Sequence, residues 1–162
     1  MGFRFQVSLL RELGTWRLEL ETHNNGMPEK IFKVEIVTPE GVVLSQDAVS
    51  IVAPAVEGSL GVLADHAPLM AELTIGEIWI RDAEGEVTRL ATSGGFMEVR
   101  KNTVRILADT AERAEEIDIA RAEEAKRRAE ERLRFRATGI DHTRAEAALE
   151  RALVRLRVAR GE

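Results

Sequence analysis

The chain of 162 residues contains no cysteine. That excludes a disulfide framework, a thiolate metal site and a cysteine nucleophile, and it leaves the redox compartment open. No uninterrupted apolar run approaches the roughly 18 residues needed to cross a bilayer, so direct membrane insertion is not expected. A glycine-rich phosphate loop of the Walker type is missing. His23 and His142 are too scattered for a metal site, and no metal is expected. The formal net charge of -5 argues against a nucleic-acid partner.

What remains is a chain with the length of one or two small domains and an ordinary apolar fraction of 44%. Its most organised stretch runs from Gly58 to Leu69. Gly58 and Gly61 precede an apolar pair, and Asp65-His66 and Ala67-Pro68 follow. Glycine opens backbone angles closed to other residues and proline fixes one, so this stretch reads as a shaped loop between strands. Around it lie short apolar runs divided by turn residues. Ile31 to Val37 alternates, with Phe32, Val34 and Ile36 on one side. Thr38-Pro39-Glu40-Gly41, Asp82 to Gly85 and Arg100 to Thr103 are turns. Many short strands at short spacing point to a sandwich or barrel. Residues 1–26 end in the breaker His23-Asn24-Asn25-Gly26 and read as an upstream extension or a misplaced translation start, poorly ordered. A signal peptide is not expected there, because Arg11, Glu12 and Arg17 interrupt the apolar residues.

After Asp109 the pattern changes. From Thr110 to Arg136 there is no proline or glycine, and Ala, Glu and Arg dominate, which predicts a helix. Ile117, Ala125, Ala129 and Leu133 share one face. Thr138-Gly139 breaks it, and Asp141 is a fitting N-cap for a second helix. There Ala145, Leu149, Ala152, Leu156 and Ala159 form a seam for a partner helix. Small residues permit close approach but bury little area, so the hairpin's docking is expected to be marginal. Residues 127–160 hold ten arginines against five acids, a basic tail on an acidic body. Such a tail suits a phosphate-bearing ligand or an acidic protein surface.

Two triplets stand out in that tail: Arg121, Arg128, Arg132 and Arg144, Arg151, Arg155, each spaced 7 and 4. Each lies along one helix stripe. The spacing admits two readings, a solvated face with Glu-to-Arg pairs such as Glu124 and Arg128, or converging guanidinium groups that take phosphate oxygens. Asp65-His66 has no serine, cysteine or second carboxylate placed to work with it, so a packed or hydrogen-bonded loop histidine is the expectation. No catalytic residue is assigned. Trp16 and Trp79 read as packing residues.

The Gly58, Gly61, His66, Pro68 pattern resembles the loop of the epsilon subunit of F-type ATP synthases. Ser93-Gly94-Gly95-Phe96-Met97-Glu98-Val99 resembles a second signature of that family, and the likeness runs from about Lys30 to Gly161. Ser59 and Ala64-Asp65 depart from the family pattern. The resemblance implies an α+β chain in two parts: an antiparallel β-sandwich over residues 27–109, then an α-helical hairpin over 110–162. It implies a non-catalytic rotor-stalk subunit that couples rotation of the gamma subunit and c ring to ATP synthesis. The contact loop of Gly58, Gly61, His66 and Pro68 would face gamma and the c ring. The hairpin would brake hydrolysis against an acidic surface of the beta subunit. The expected location is the cytoplasmic face of the bacterial membrane, peripheral and within the complex. No cofactor is required, but ATP is implied as a regulatory ligand, because Ile117, Asp118, Arg121 and Ala122 match a nucleotide motif of some relatives. Glu112, Arg128, Arg144, Arg151 and Arg155 would complete that site. Another reading is a free-standing nucleotide-sensing adaptor without a synthase partner, which co-purification with gamma distinguishes.

Overall fold

Alternation of apolar and polar residues, reset at each turn, governs the first two-thirds of the chain. A computed structural model describes residues 8–12, 15–19, 29–134 and 141–162. Two short strands come first, β1 (Ser8–Glu12) and β2 (Thr15–Glu19), paired antiparallel with Leu9 opposite Leu18 and Arg11 opposite Trp16. The rest of the expected extension lies outside the described residues.

Ten strands form the sandwich. They are β3 (Phe32–Thr38), β4 (Gly41–Ala48), β5 (Ser50–Ala55), β6 (Gly58–Leu63), β7 (Leu69–Leu73), β8 (Gly76–Arg81), β9 (Val87–Thr92), β10 (Gly95–Arg100), β11 (Thr103–Ala108) and β12 (Ala111–Arg113). Their order is β12-β9-β8-β5-β7-β10-β11-β3-β4, with β6 beside β5. Neighbours run antiparallel except β3 and β11, which pair in parallel and bring the sandwich's first strand onto its ninth. Strand β5 turns the corner: Ser50 to Val52 pair with β8, whereas Ala55 reaches Leu73 of β7. The inward set is the one the alternation predicts, with Phe32, Val34 and Ile36 buried alongside Ile51, Ile78, Ile80, Leu90, Met97, Val104 and Ile106.

The structure corrects one expectation about the Gly58–Leu69 stretch. Gly58 to Leu63 is not loop but strand β6, aligned along the whole of β5 from Ala55–Gly58 to Ser50–Leu63. Val62 faces the core and Gly61 sits in register on the ladder. Glycine in this stretch does not prevent pairing, because β5 supplies the partner groups. The true loop is Ala64 to Pro68.

A second correction concerns the first helix. The helix-former run from Thr110 opens with strand β12, paired to β9, and a 3₁₀ turn at Ala114–Glu116. Helix α1 (Ile119–Arg134) starts only after Asp118, whose carboxylate accepts from the Arg121 amide at 3.0 Å. A free sheet edge overrides helix propensity, since a full ladder satisfies backbone groups that a fraying first turn leaves open. Helix α2 (His142–Arg160) begins as expected, with the Asp141 carboxylate accepting from the Arg144 amide at 3.0 Å. The break expected at Thr138-Gly139 lies outside the described residues. On α1, Ala122 and Ala129 are buried; on α2, Ala145, Ala152 and Leu156 are. Ala122 belongs to the buried face that the spacing reading began at Ile117 and carried through Ala125, Ala129 and Leu133.

Candidate functional site

The hairpin does not share the sandwich core. Helix α2 lies on the outer face of β8 and β9, and carries the main helical contacts with the sheet. There Ala91, Ile117, Val154 and Val158 form a second, small apolar cluster, flanked by Ile75, Ala114 and Ala159. Val154 and Val158 lie four apart and so share a face, which is why both reach the sheet.

Polar links surround this cluster. Arg155 donates from Nε and Nη2 to one oxygen of Glu112, at 2.8 and 2.6 Å, and so ties α2 to β12. Arg160 pairs with Glu123 at 2.5 Å and ties α2 to α1. Arg151 and Arg155 line a cleft with Ala91, Thr92, Ser93 and Thr110. The second signature shapes its floor. Thr92 Oγ accepts from the Gly94 amide and donates within the turn, Ser93 N–H donates to the Thr110 carbonyl at 3.2 Å, and Thr110 Oγ donates to Ser93 Oγ at 2.9 Å. The free volume is about 10 Å³, the size of one water.

Of the residues assigned to nucleotide binding, the structure therefore brings together Glu112, Arg151 and Arg155. Ile117 is buried in the docking cluster, and Ala122 in the helix seam. Asp118 caps α1. Arg121, Arg128 and Arg144 are exposed and do not line the cleft. Arg128 reaches Glu124 at 3.5 Å, and hydrogen bonds from Arg127 hold Glu124 below the usual carboxylate range. On α1 the ion-paired, solvated face is thus the arrangement present.

The contact loop has its own supports. Asp65 adopts a left-handed backbone with φ 61. Its carboxylate takes Lys30 at 2.5 Å, which raises the lysine's pKa, and its amide donates to the Asn102 side chain at 3.0 Å. Asn102 also donates to the Ile31 carbonyl. Asp65 therefore binds Lys30 rather than His66. His66 is exposed, and its Nδ1 donates to the Ala67 carbonyl at 2.8 Å. Gly58 and Gly61 stand on β6, and Pro68 is exposed just before β7.

Sequence reasoning missed Lys30 and Asn102, whose partners are 35 and 37 residues away. It also missed Arg89. That guanidinium sits 5.3 Å over the Trp79 ring, pairs with Glu77, and donates to the Glu162 carbonyl at 2.8 Å. Trp79 is an outward-facing platform for a cation rather than a core packing residue. The available signal was the hairpin register about the Asp82–Gly85 turn, which sets Trp79 directly opposite Arg89.

Among the described residues, no helix is long and apolar enough to cross a membrane, and no group of His, Asp or Glu is placed to hold a metal. Family models match nearly all of the region beyond the extension. Residues 31–114 match the beta-sandwich domain of the ATP synthase delta/epsilon chain, and 115–160 match its long alpha-helix domain. The ATP synthase epsilon chain of Pelotomaculum thermopropionicum is 56% identical over 107 residues, covering 66% of this chain and 79% of that one. That of Moorella thermoacetica is 53% identical over 106 residues, covering 65% and 79%. A chain in the cryo-EM structure of the Euglena gracilis mitochondrial ATP synthase superposes with a TM-score of 0.67 at 24% identity, over 80% of this chain and 81% of that one, a likeness of fold. A sandwich of this topology, a docked helical pair and these matches leave one assignment: the chain belongs to the epsilon-chain family of ATP synthases.

Proposed function

We propose that this chain serves the rotor stalk of an F-type ATP synthase as a non-catalytic subunit, with its helical hairpin as a brake on hydrolysis. Its sandwich would bind gamma and the c ring, with the Ala64–Pro68 loop at the c-ring contact. That would place it peripherally at the cytoplasmic face of the membrane. The observation that supports the brake is the separate docking cluster. Val154, Val158, Ile117 and Ala91 form a cluster separate from that of Val34, Ile36 and Ile106, so opening of the hairpin would leave the sandwich core in place. A freed α2 would present its arginines to an acidic surface of the beta subunit.

ATP as regulator fits a narrower part of the site. Arg151, Arg155 and Glu112 converge, but a water-sized cleft admits no nucleotide without rearrangement. ATP can shift the hairpin only by its differential affinity for one arrangement. Calorimetric titration of ATP into the chain tests this part: Arg155→Ala should weaken binding, and binding unchanged by it would remove Arg155 from the site.

A truncation ending at Arg113 tests the brake while keeping β12 on the sheet. The purified complex should assemble with the shortened subunit and hydrolyse ATP faster than the complex with the full chain. Hydrolysis at the same rate would overturn the brake reading and leave the stalk assignment standing.

A further inference from the structure

We propose that Arg89 is a latch that holds the C-terminal end of α2 down on the sandwich and sets how readily the hairpin opens. The functional consequence rests on the brake reading above; the contact itself does not. Arg89 lies on β9 opposite Trp79 and diagonal to Glu77, on the outer face that α2 covers. Three groups fix it. The Trp79 ring lies beneath the guanidinium at 5.3 Å, the Glu77 carboxylate takes Nε, and the Glu162 carbonyl takes Nη2 at 2.8 Å. The ion pair is largely shielded, with side chains 18% and 10% exposed, so it is screened less than the helix-surface pairs on α1.

The other half of the latch is the way α2 ends. Gly161 takes the left-handed conformation, φ 72, and turns the chain back. Its amide bonds to the Val158 carbonyl and that of Glu162 to the Arg157 carbonyl. This Schellman-type cap aims the next carbonyl at the sheet rather than along the helix axis. A side chain at Gly161 would begin 3.4 Å from Arg89 Nη1, so the cap and the guanidinium are already in contact. A helix C-terminus carries partial negative charge, and a fixed cation there is stabilising. Trp79 and Glu77 pre-orient that cation, so little side-chain freedom is lost when α2 docks.

The design is asymmetric in a useful way. Arg160–Glu123 joins the two helices to one another, and Arg155–Glu112 joins the middle of α2 to β12. Arg89 reaches the end of α2 from the sheet. Loss of this contact frees α2 from its tip inward, toward Val158 and then Val154.

Hydrogen exchange on the isolated full-length chain tests the latch. In Arg89→Gln, amides of Val154 to Gly161 should exchange on the order of tenfold faster than in the parent, with β3 and β11 unchanged. Arg89→Lys should fall between, since an ammonium keeps the charge but not the fork. Gly161→Ala approaches from the helix side, leaves the sheet sequence intact, and should loosen the same amides. Unchanged exchange at Val154 to Gly161 in both Arg89→Gln and Gly161→Ala overturns the proposal. Acceleration that extends through β3 and β11 in Arg89→Gln, with none in Gly161→Ala, overturns it too, because Arg89 is then a sheet residue only. None of these readouts involves the synthase, so failure of the brake reading appears in hydrolysis assays and not here.

Discussion

Asp65 and Gly95 show how much single backbone angles decide. A left-handed conformation is disfavoured for most side chains by about 1–2 kcal/mol, and Asp and Asn tolerate it best. Asp65 at φ 61 also holds Lys30, so its two roles can be separated. Asp65→Asn keeps the angle and loses the ion pair, and should be nearly neutral because the pair is exposed. Asp65→Ala loses both and should lower stability by about 1 kcal/mol in denaturant titration. Equal effects of the two substitutions would assign the role to charge rather than to the angle. Gly95 is stricter: φ is 133, and an added Cβ would lie 2.1 Å from the Leu107 carbonyl. Gly95→Ala must push β10 from β11 and should cost about 3 kcal/mol or more, or prevent folding. Glu35 adds a pH dependence. Hydrogen bonds from Arg105 and then Lys33 hold its carboxyl below the usual range. A depressed folded-state pKa contributes stability above the unfolded value of about 4.3, lost as pH falls through the folded one. The melting temperatures of the parent and Glu35→Gln should therefore differ near neutrality and converge in acid. A gap that persists in strong acid would exclude the ion pair as its source.

At the scale of elements, what was legible in the sequence followed from local chemistry. The alternation in Ile31 to Val37 gives the buried face of β3, and Asp141 gives the start of α2. The turns at Asp82–Gly85 and Arg100–Thr103 fall where their residues put them; Lys101 and Asn102 take positive φ between β10 and β11. What local chemistry could not show is where a distant partner overrides it. Strand β6 forms because β5 lies beside it, and β12 because β9 offers an edge. The candidate site divides the same way. Arginine spacing indicates stripes on α1 and α2, but only the docked fold shows that Arg155 meets Glu112 while Arg121 and Arg128 stay outside the cleft. Capping is testable at this scale. Asp141→Ala removes the acceptor for the Arg144 amide and should cost α2 about 1 kcal/mol, read as faster exchange in its first turn. No change there would show that docking alone holds the N-terminal turn.

For the whole molecule, the two apolar clusters imply two thresholds of unfolding. The sandwich is closed by pairings between distant strands, β3 on β11 above all, around side chains such as Ile36, Ile78 and Ile106 that are fully buried. Such a sheet unfolds as a unit, because its inner strands, β3 and β11 among them, each hold two ladders and share one core. The hairpin rests on Val154, Val158, Ile117 and Ala91, helped by a few ionic contacts, and on an alanine seam of small area. Each buried valine or isoleucine offers about 1.5–3 kcal/mol at most, so this docking is the weaker of the two. Heating should therefore remove helical ellipticity before the methyl resonances of Val34, Ile36 and Ile106 lose their folded positions. Val154→Ala should lower the first midpoint, by about 1–2 kcal/mol of docking free energy, and leave the second in place. Coincident midpoints in the parent and in Val154→Ala would show one cooperative unit. The hairpin could not then open without unfolding the sandwich, and a brake that works by opening would have no structural basis in this chain.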